Sequence, residues 1–468
     1  MKIGLITLGC DKNTVDSERY LADLIGHGAE HTARLDEAEV IVVNTCGFID
    51  AAKQESIDTL IAAGRLKVDG VCRAVVAVGC LVERHKRELS AELPEVDLFL
   101  GSSEVQQLIP ELERRGLVGD SVTQHPGSRH YAGDLPHVRY LKISEGCDHG
   151  CAFCAIPLMR GRHRSFSLDE VVFDAQLLES QGAREVNLVA QDLAHYGRDR
   201  RDGVGLAELL GALVRETGIP WLRMLYLYAT GLTPRVLELM AREPRVVPYL
   251  DMPIQHASDA VLERMRRPER ARTIRERVAL VREVVPELAI RTTCIVGFPG
   301  ETEEDFQLLL EFLEDVRFER VGAFTYSPQE GTRAAALADD VPMELKLDRL
   351  TRLSELQRGV TAERYERLIG RRVPAIVDRM REDEGTSVQA RLMCQADDVD
   401  GITHLTGAET LAPGDIVEVE VNDVVDDFDF DATWRRMLDG VRAVPPTAQR
   451  VARALPLMVS SAAGSYGR

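Results

Sequence analysis

The sequence predicts an α/β protein built from an N-terminal Rossmann-like parallel sheet, a partial (βα)6 TIM-like barrel and a small C-terminal OB-like β-barrel. Three observations carry that expectation. Short apolar runs alternate with helical stretches as far as residue 365, the pattern of βαβ units. That alternation is interrupted around residues 119–135, where Gly, Pro, Ser and His dominate, as in a linker. After a long charged helical stretch the pattern changes to short alternating strands, the signature of a small barrel. With 468 residues, the chain is long enough for about three domains, each with its own core.

In the first part (1–118), strands are expected at 3–8, 40–44 and 74–78, with helices at 14–24 and 51–63. In the second (136–365), strands fall at 138–143, 185–189, 221–228, 247–251, 290–296 and 320–326, with helices such as 168–180 and 261–285 between them. A charged helix at 345–368 leads into the third part (366–433), whose strands are 372–378, 387–392 and, after the turn Pro413-Gly414-Asp415, 416–421. Residues 434–468, rich in Ala, Pro, Ser and Gly, are expected to form a disordered tail.

Composition narrows the function. A net charge of −19 argues against general binding to nucleic-acid phosphates, so no DNA partner is expected, and a basic protein is the better match. No run approaches the roughly 20 apolar residues of a membrane span, and the first ten residues, with Lys2 their only basic side chain, read as a strand rather than a signal peptide. The expected location is the cytoplasm. Nine cysteines, an odd number, are there more readily explained as free thiols or metal ligands than as disulfides.

The densest chemistry is Cys147-x-x-x-Cys151-x-x-Cys154, which directly follows a predicted strand. A 4Fe-4S cluster held by three local thiolates keeps one iron free, able to bind the amino and carboxylate groups of S-adenosylmethionine. Structural zinc completed by His149 or a distant ligand is the alternative, although such sites usually come as two Cys-x-x-Cys pairs. Cys10, Cys46 and Cys80 each end a predicted parallel strand, so they should converge on the ligand-binding edge of the first sheet. Gly9 and Gly79 before two of them would admit a bulky group, whereas three ordinary buried thiols are the plain alternative. Cys72, Cys294 and Cys394 are expected to be structural.

Weaker signals surround these. Val296 and Gly297 lie where Ile295-Val296-Gly297-Phe298-Pro299-Gly300-Glu301 ends a strand, either meeting a cofactor or making a turn. Gln191 with Asp192, and Asp251 with Gln255 and His256, end other barrel strands, as site residues or as simple caps. With Phe153 inside the cysteine loop, Gln191, Gln255, Val296 and Gly297 form the candidate cofactor-binding set. Arg160, Arg162, His163 and Arg164 are either a carboxylate clamp or a solvated basic loop. Tyr226 and Tyr228, alternating with leucines, read as strand packing.

Over residues 1–433 the six cysteines, their order and the final β-rich part resemble the methylthiotransferase family. The resemblance implies an N-terminal methylthiotransferase domain, a radical S-adenosylmethionine (radical SAM) core and a TRAM domain. It also implies two 4Fe-4S clusters: an auxiliary one on Cys10, Cys46 and Cys80 that delivers sulfur, and one on the catalytic Cys147, Cys151 and Cys154 that cleaves S-adenosylmethionine. One S-adenosylmethionine would methylate sulfur on the auxiliary cluster and another would yield the radical. A reductant and a sulfur donor, unnamed by the sequence, are implied with them.

Within the family, Leu225-Tyr226-Leu227-Tyr228 and the stretch from Tyr249 to His256 are similar to the branch that modifies the β-carbon of an aspartate in small-subunit ribosomal protein S twelve; Ala229 departs from it where proline is expected. Residues 370–433 carry 16 Asp and Glu against 5 Arg and no Lys, a surface that would repel RNA and attract a basic ribosomal protein. Methylthiolation of a modified adenosine in transfer RNA is the alternative, and a non-catalytic iron-sulfur electron carrier is the alternative of another class.

Overall fold

The computed structural model describes residues 1–119, 128–131, 133–381, 387–408 and 410–438. In the N-terminal sheet, β1 (Lys2–Thr7), β2 (Glu30–His31), β3 (Val40–Thr45), β4 (Ala74–Gly79) and β5 (Leu98–Gly101) lie in the order β2-β1-β3-β4-β5. All neighbours are parallel. The helices α1 (Asp11–Gly26), α2 (Asp50–Asp69), α3 (Cys80–Glu92) and α4 (Leu108–Arg114) pack around it. Every residue of β3 and β4 is buried, which is why both are Val-rich runs without alternation.

The central sheet is six-stranded and parallel. Its strands are β6 (Val138–Lys142), β9 (Glu185–Val189), β10 (Trp221–Met224), β11 (Val246–Asp251), β12 (Ala289–Val296) and β13 (Arg320–Thr325), in chain order from one edge to the other. The short pair β7 (Ser144–Glu145) and β8 (Arg164–Ser165) closes the neck of the cysteine loop, which contains α5 (Ile156–Arg160). Around the sheet run α6 (Leu168–Ser180), α7 (Leu206–Glu216), α8 (Pro234–Arg242), α9 (Asp259–Arg264), α10 (Ala271–Val284), α11 (Glu303–Val316) and α12 (Met343–Glu366). Capping boxes Ser167/Glu170 and Thr302/Asp305 set the starts of α6 and α11. Among the described residues no helix is long and apolar enough to cross a membrane.

Finally β14 (Arg372–Arg381), β15 (Ser387–Leu392), β16 (Thr403–Thr406), β17 (Ile416–Val425) and β18 (Asp429–Met437) form a closed barrel ordered β14-β15-β16-β18-β17. It plugs the amino-terminal end of the central sheet: Trp221, Val247, Tyr249 and Ala289 share one apolar cluster with Ile376, Ala396 and Ile416. A buried ion network reinforces the plug, with Glu185 between Arg223 and Arg391 (both 2.6 Å) and Asp378 between Arg391 (2.7 Å) and His137 (2.9 Å). Beyond the opposite, carboxyl-terminal end lies the N-terminal part, reached where Tyr226 Oη donates to Asp11 (3.0 Å).

Three expectations need correction. The strand expected at 221–228 stops at Met224, because Leu225 and Leu227 N–H donate to Leu188 and Asp251 carbonyls while Tyr226 turns at φ 61°. The helix expected at 261–285 is two helices, separated where Arg266 adopts φ 59° and Pro268 lacks an amide donor. The last strand continues to Met437, inside the expected tail, because Arg435 and Arg436 pair with Glu420 and Glu418 on β17; residues 439–468 lie outside the described residues.

Candidate active site

The cysteine loop is fixed at its neck and its middle. Gly146 at φ 75° has no room for a side chain, since a Cβ would stand 2.1 Å from the Arg162 carbonyl oxygen. Cys147 N–H donates to the Gly161 carbonyl (3.1 Å) and Ala152 N–H to that of Met265 (2.9 Å). Burial pushes the Cys147 thiol up to about 11 and Cys154 to about 12, with charge on the neighbouring thiols adding to the rise. Such thiols do not ionise unaided near neutral pH; a metal centre displaces the protons.

A stack of side chains leads away from this loop. Tyr228 Oη lies 3.8 Å and Arg267 Nη1 3.9 Å from Cys151 Sγ. The Arg267 guanidinium sits 4.0 Å over the Tyr228 ring, whose other contact is His149, stacked at 4.4 Å and 7°. His149 donates to Asp192 (2.8 Å), which also accepts from His195 (2.6 Å). Burial alone would raise the Asp192 carboxyl, but these donors outweigh it and hold the group well below the usual carboxylate range. Three local thiols with an open position suit an iron-sulfur cluster, whereas structural zinc would need a fourth ligand beyond them.

The second set of thiols converges as the topology required. Cys10 precedes α1, Cys46 follows β3 and Cys80 opens α3, at the carboxyl ends of three adjacent parallel strands. The flanking glycines have a reason closer to home than a bound group. A Cβ on Gly9 (φ 89°) would stand 2.8 Å from Cys46 Cβ, and one on Gly79 (φ 100°) 2.4 Å from Asn44 Oδ1. Asn13 bridges the strand ends, donating to the carbonyls of Leu8 (2.7 Å) and Thr45 (3.3 Å). Burial raises the Cys46 and Cys80 thiols, Cys80 to about 11, and charge on Cys10 raises both further.

Arg160 joins the two sets. It ends α5, six residues after Cys154, and its side chain is 5% exposed. Its Nε donates to Cys80 Sγ (3.2 Å), and its other nitrogens to Asp16 (2.6 Å), Glu145 (3.5 Å) and Asn13. Of the two readings of this basic group, carboxylate clamp or solvated loop, neither describes Arg160, whose guanidinium is already engaged by the protein, or His163, which pairs with Ser165 (3.0 Å). Arg164 lies over the Phe166 ring. Cys72, Cys294 and Cys394 belong to none of this; Cys294 is fully buried in mid-strand and Cys72 points at the Ala74 carbonyl.

Comparison with known proteins agrees with this geometry. Residues 2–101 match the model described as Uncharacterized protein family UPF0004, residues 141–313 the Radical SAM superfamily and residues 369–434 the TRAM domain. The chain is 44% identical over 427 residues to the ribosomal protein uS12 methylthiotransferase RimO of Anaeromyxobacter sp. (strain Fw109-5), covering 90% of this chain and 91% of the relative. It is 41% identical to the protein of that name from Aquifex aeolicus, covering 91% and 96%.

The chain belongs to the RimO family of radical SAM methylthiotransferases.

The solved radical SAM methyltransferase TsrM from Kitasatospora setae, at TM-score 0.51 and 14% identity over 69% of this chain and 72% of that one, shares the fold. Membership of the radical SAM superfamily brings a 4Fe-4S cluster and S-adenosylmethionine with it.

The remaining RimO-family candidates fall at the carboxyl ends of the central strands. Gln191 donates to Glu145 (3.4 Å) and leaves its buried Oε1 without a partner. Gln255 adopts φ 72° where the chain pairs again with β12, a strained position of the kind found at ligand sites. Phe153 packs with Phe298 and Tyr326 and so seats the loop on the turn after β12. Val296 is buried, and Gly297 is glycine because a Cβ would lie 2.2 Å from the Lys346 stem. Sequence reasoning missed His195 and Arg267 and weighed His149 only as a zinc ligand; it also read Tyr228 as strand packing, although that ring stacks on His149 with its hydroxyl beside Cys151.

Proposed function

We propose that this methylthiotransferase modifies the β-carbon of an aspartate in small-subunit ribosomal protein S twelve, named uS12 in the relatives, with one 4Fe-4S cluster on Cys147, Cys151 and Cys154 and a second on Cys10, Cys46 and Cys80. When bound, these clusters and S-adenosylmethionine supply the radical and the methylthio group that no side chain can provide for an unactivated carbon. The observation that carries the reading is Arg160, which grows out of the first cysteine loop and donates to Cys80 of the second set. Two thiol sites tied by one buried side chain suit a reaction that must generate a radical and deliver sulfur at the same carbon.

Gln191, Gln255, Val296, Gly297 and Phe153 would hold S-adenosylmethionine, with the unpartnered Gln191 Oε1 offering an acceptor to its amino group. Residues 1–118, 136–365 and 366–433 would act as the three functional parts, the last extended to Met437. Of the acidic groups in the C-terminal barrel, Asp378, Asp400 and Asp415 are buried, and Arg435 and Arg436 offset two more. Asp423, Asp426 and Asp427, the last paired with Arg358 (2.8 Å), are exposed on the β17–β18 hairpin, where they suit a basic ribosomal protein better than RNA.

Anaerobic incubation of the cluster-loaded protein with S-adenosylmethionine, sulfide, a reductant and uS12 tests this. The expected product is uS12 heavier by about 46 mass units on one aspartate, a hydrogen exchanged for a methylthio group. Deoxyadenosine release with no such gain would overturn the substrate assignment.

A further inference from the structure

Three lysines are buried among the described residues, and they are not alike. Lys142 pairs with Asp16 and Glu145 (2.6 Å), and Lys346 with Asp339 (2.7 Å). Lys12 is 6% exposed and has neither an ion pair nor a hydrogen bond through its ammonium among the described residues. That ammonium lies 3.0 Å from the centroid of the Tyr226 ring. Nearby acids are already engaged: Asp251 accepts from Arg291 (2.9 Å) and from Tyr226 N–H (3.3 Å), and Asp11 accepts from Tyr226 Oη (3.0 Å). A buried ammonium without an ion-pair partner is costly and tends to give up its proton, and a ligand carboxylate would supply the charge that keeps it.

Position says which ligand. Lys12 lies two residues after Cys10 in α1, and Tyr226, which it covers, follows the carboxyl end of β10. Tyr226 is held there at φ 61°. The ammonium thus stands between the N-terminal thiols and the open end of the central sheet.

We propose that Lys12 binds the carboxylate of the substrate's acidic side chain and so determines specificity for aspartate. The inference rests on the reading under Proposed function. In aspartate the carboxyl carbon is bonded directly to the β-carbon, so a cation that fixes the carboxylate also fixes the carbon to be modified. Asparagine has the same shape without the charge, and a site built around an unpaired lysine discriminates against it.

The test uses cluster-loaded protein, matched for iron content, and fluorescent peptides spanning the target residue of uS12 with aspartate or asparagine at that position. Wild type should bind the aspartate peptide more tightly. Lys12→Met should weaken that peptide on the order of 30-fold while leaving the asparagine peptide near its wild-type affinity, and Lys12→Arg should recover much of the loss. In turnover the change should appear in KM for the aspartate peptide more than in kcat. If Lys12→Met weakens both peptides alike, Lys12 is a countercharge to the Cys10 site and the proposal is overturned; no change in either overturns it too. Wild type that binds neither peptide would overturn the substrate reading along with it, a failure visible before any variant is made.

Discussion

Cys147, Cys151 and Cys154 come from a single loop of eight residues, whereas Cys10, Cys46 and Cys80 arrive from three strand ends spread over the first 80 positions. The loop holds its shape through backbone: a glycine neck, the Gly161 and Met265 carbonyls, and the two-residue ladder of β7 and β8. The dispersed set is held by sheet topology, with Asn13 and two positive-φ glycines letting adjacent strand ends touch. Their electrostatics differ as well. Cys151 has the Arg267 and Tyr228 donors at 3.9 and 3.8 Å, while Cys80 has Arg160 at 3.2 Å. On the proposed reading, the local loop would make a self-contained site for radical generation, and the composite one could be adjusted against it through a single bridging residue.

The largest effect should come from breaking the local set. Cys151→Ala should abolish both deoxyadenosine release and methylthio transfer, each by at least about a thousandfold, measured by chromatography and by substrate mass. Residual deoxyadenosine near the wild-type rate would mean that radical generation lies elsewhere.

Arg160→Met sharpens the comparison because it cuts the bridge and spares both sets. Methylthio transfer should fall about 10- to 100-fold, with deoxyadenosine still released, so that the ratio of the two products changes. Equal losses in both would make Arg160 a general scaffold of the loop.

Arg267→Met should affect only the local site. Removing the cation beside Cys151 should lower the midpoint potential of that cluster by tens of millivolts and leave the other cluster's unchanged in a redox titration followed by electron paramagnetic resonance. A shift in both would contradict the separation of the two environments.

The fold and the local site were legible in the sequence because their signals are local. The βαβ alternation, Val-rich β3 and β4, and the three-cysteine spacing each need only a short window. Cys10, Cys46 and Cys80 became legible one level up, through the rule that parallel strand ends share an edge. What escaped depends on distant partners. Arg160 looks like part of a basic loop until Asp16, 144 residues earlier, is brought beside it. Leu225-Tyr226-Leu227-Tyr228 imitates a strand in its alternation, and only the carbonyls of Leu188 and Asp251 turn it out of the sheet. β16 and β18 have too few apolar residues to be seen alone and form because a closed barrel requires them.

The smallest effect concerns the seam between the two sets. Burial pushes the Asp16 carboxyl up, but Lys142 and Arg160 outweigh it and hold it at about 2, below the usual 3.8. A carboxylate depressed in the folded state contributes stability above its unfolded pKa and loses it as pH falls through the folded one. Asp16→Asn in cluster-free protein should therefore flatten the acid limb of the stability curve between about pH 4 and pH 2, followed by circular dichroism. An unchanged slope would contradict the seam's electrostatics.

The division of labour itself is tested most directly by the triple variant Cys10→Ala, Cys46→Ala, Cys80→Ala, assayed for iron, deoxyadenosine and the mass of uS12. The account predicts about half the wild-type iron, deoxyadenosine still formed and no methylthio gain. Methylthiolated uS12 from that variant, or loss of deoxyadenosine with the Cys147 cluster intact, would contradict it.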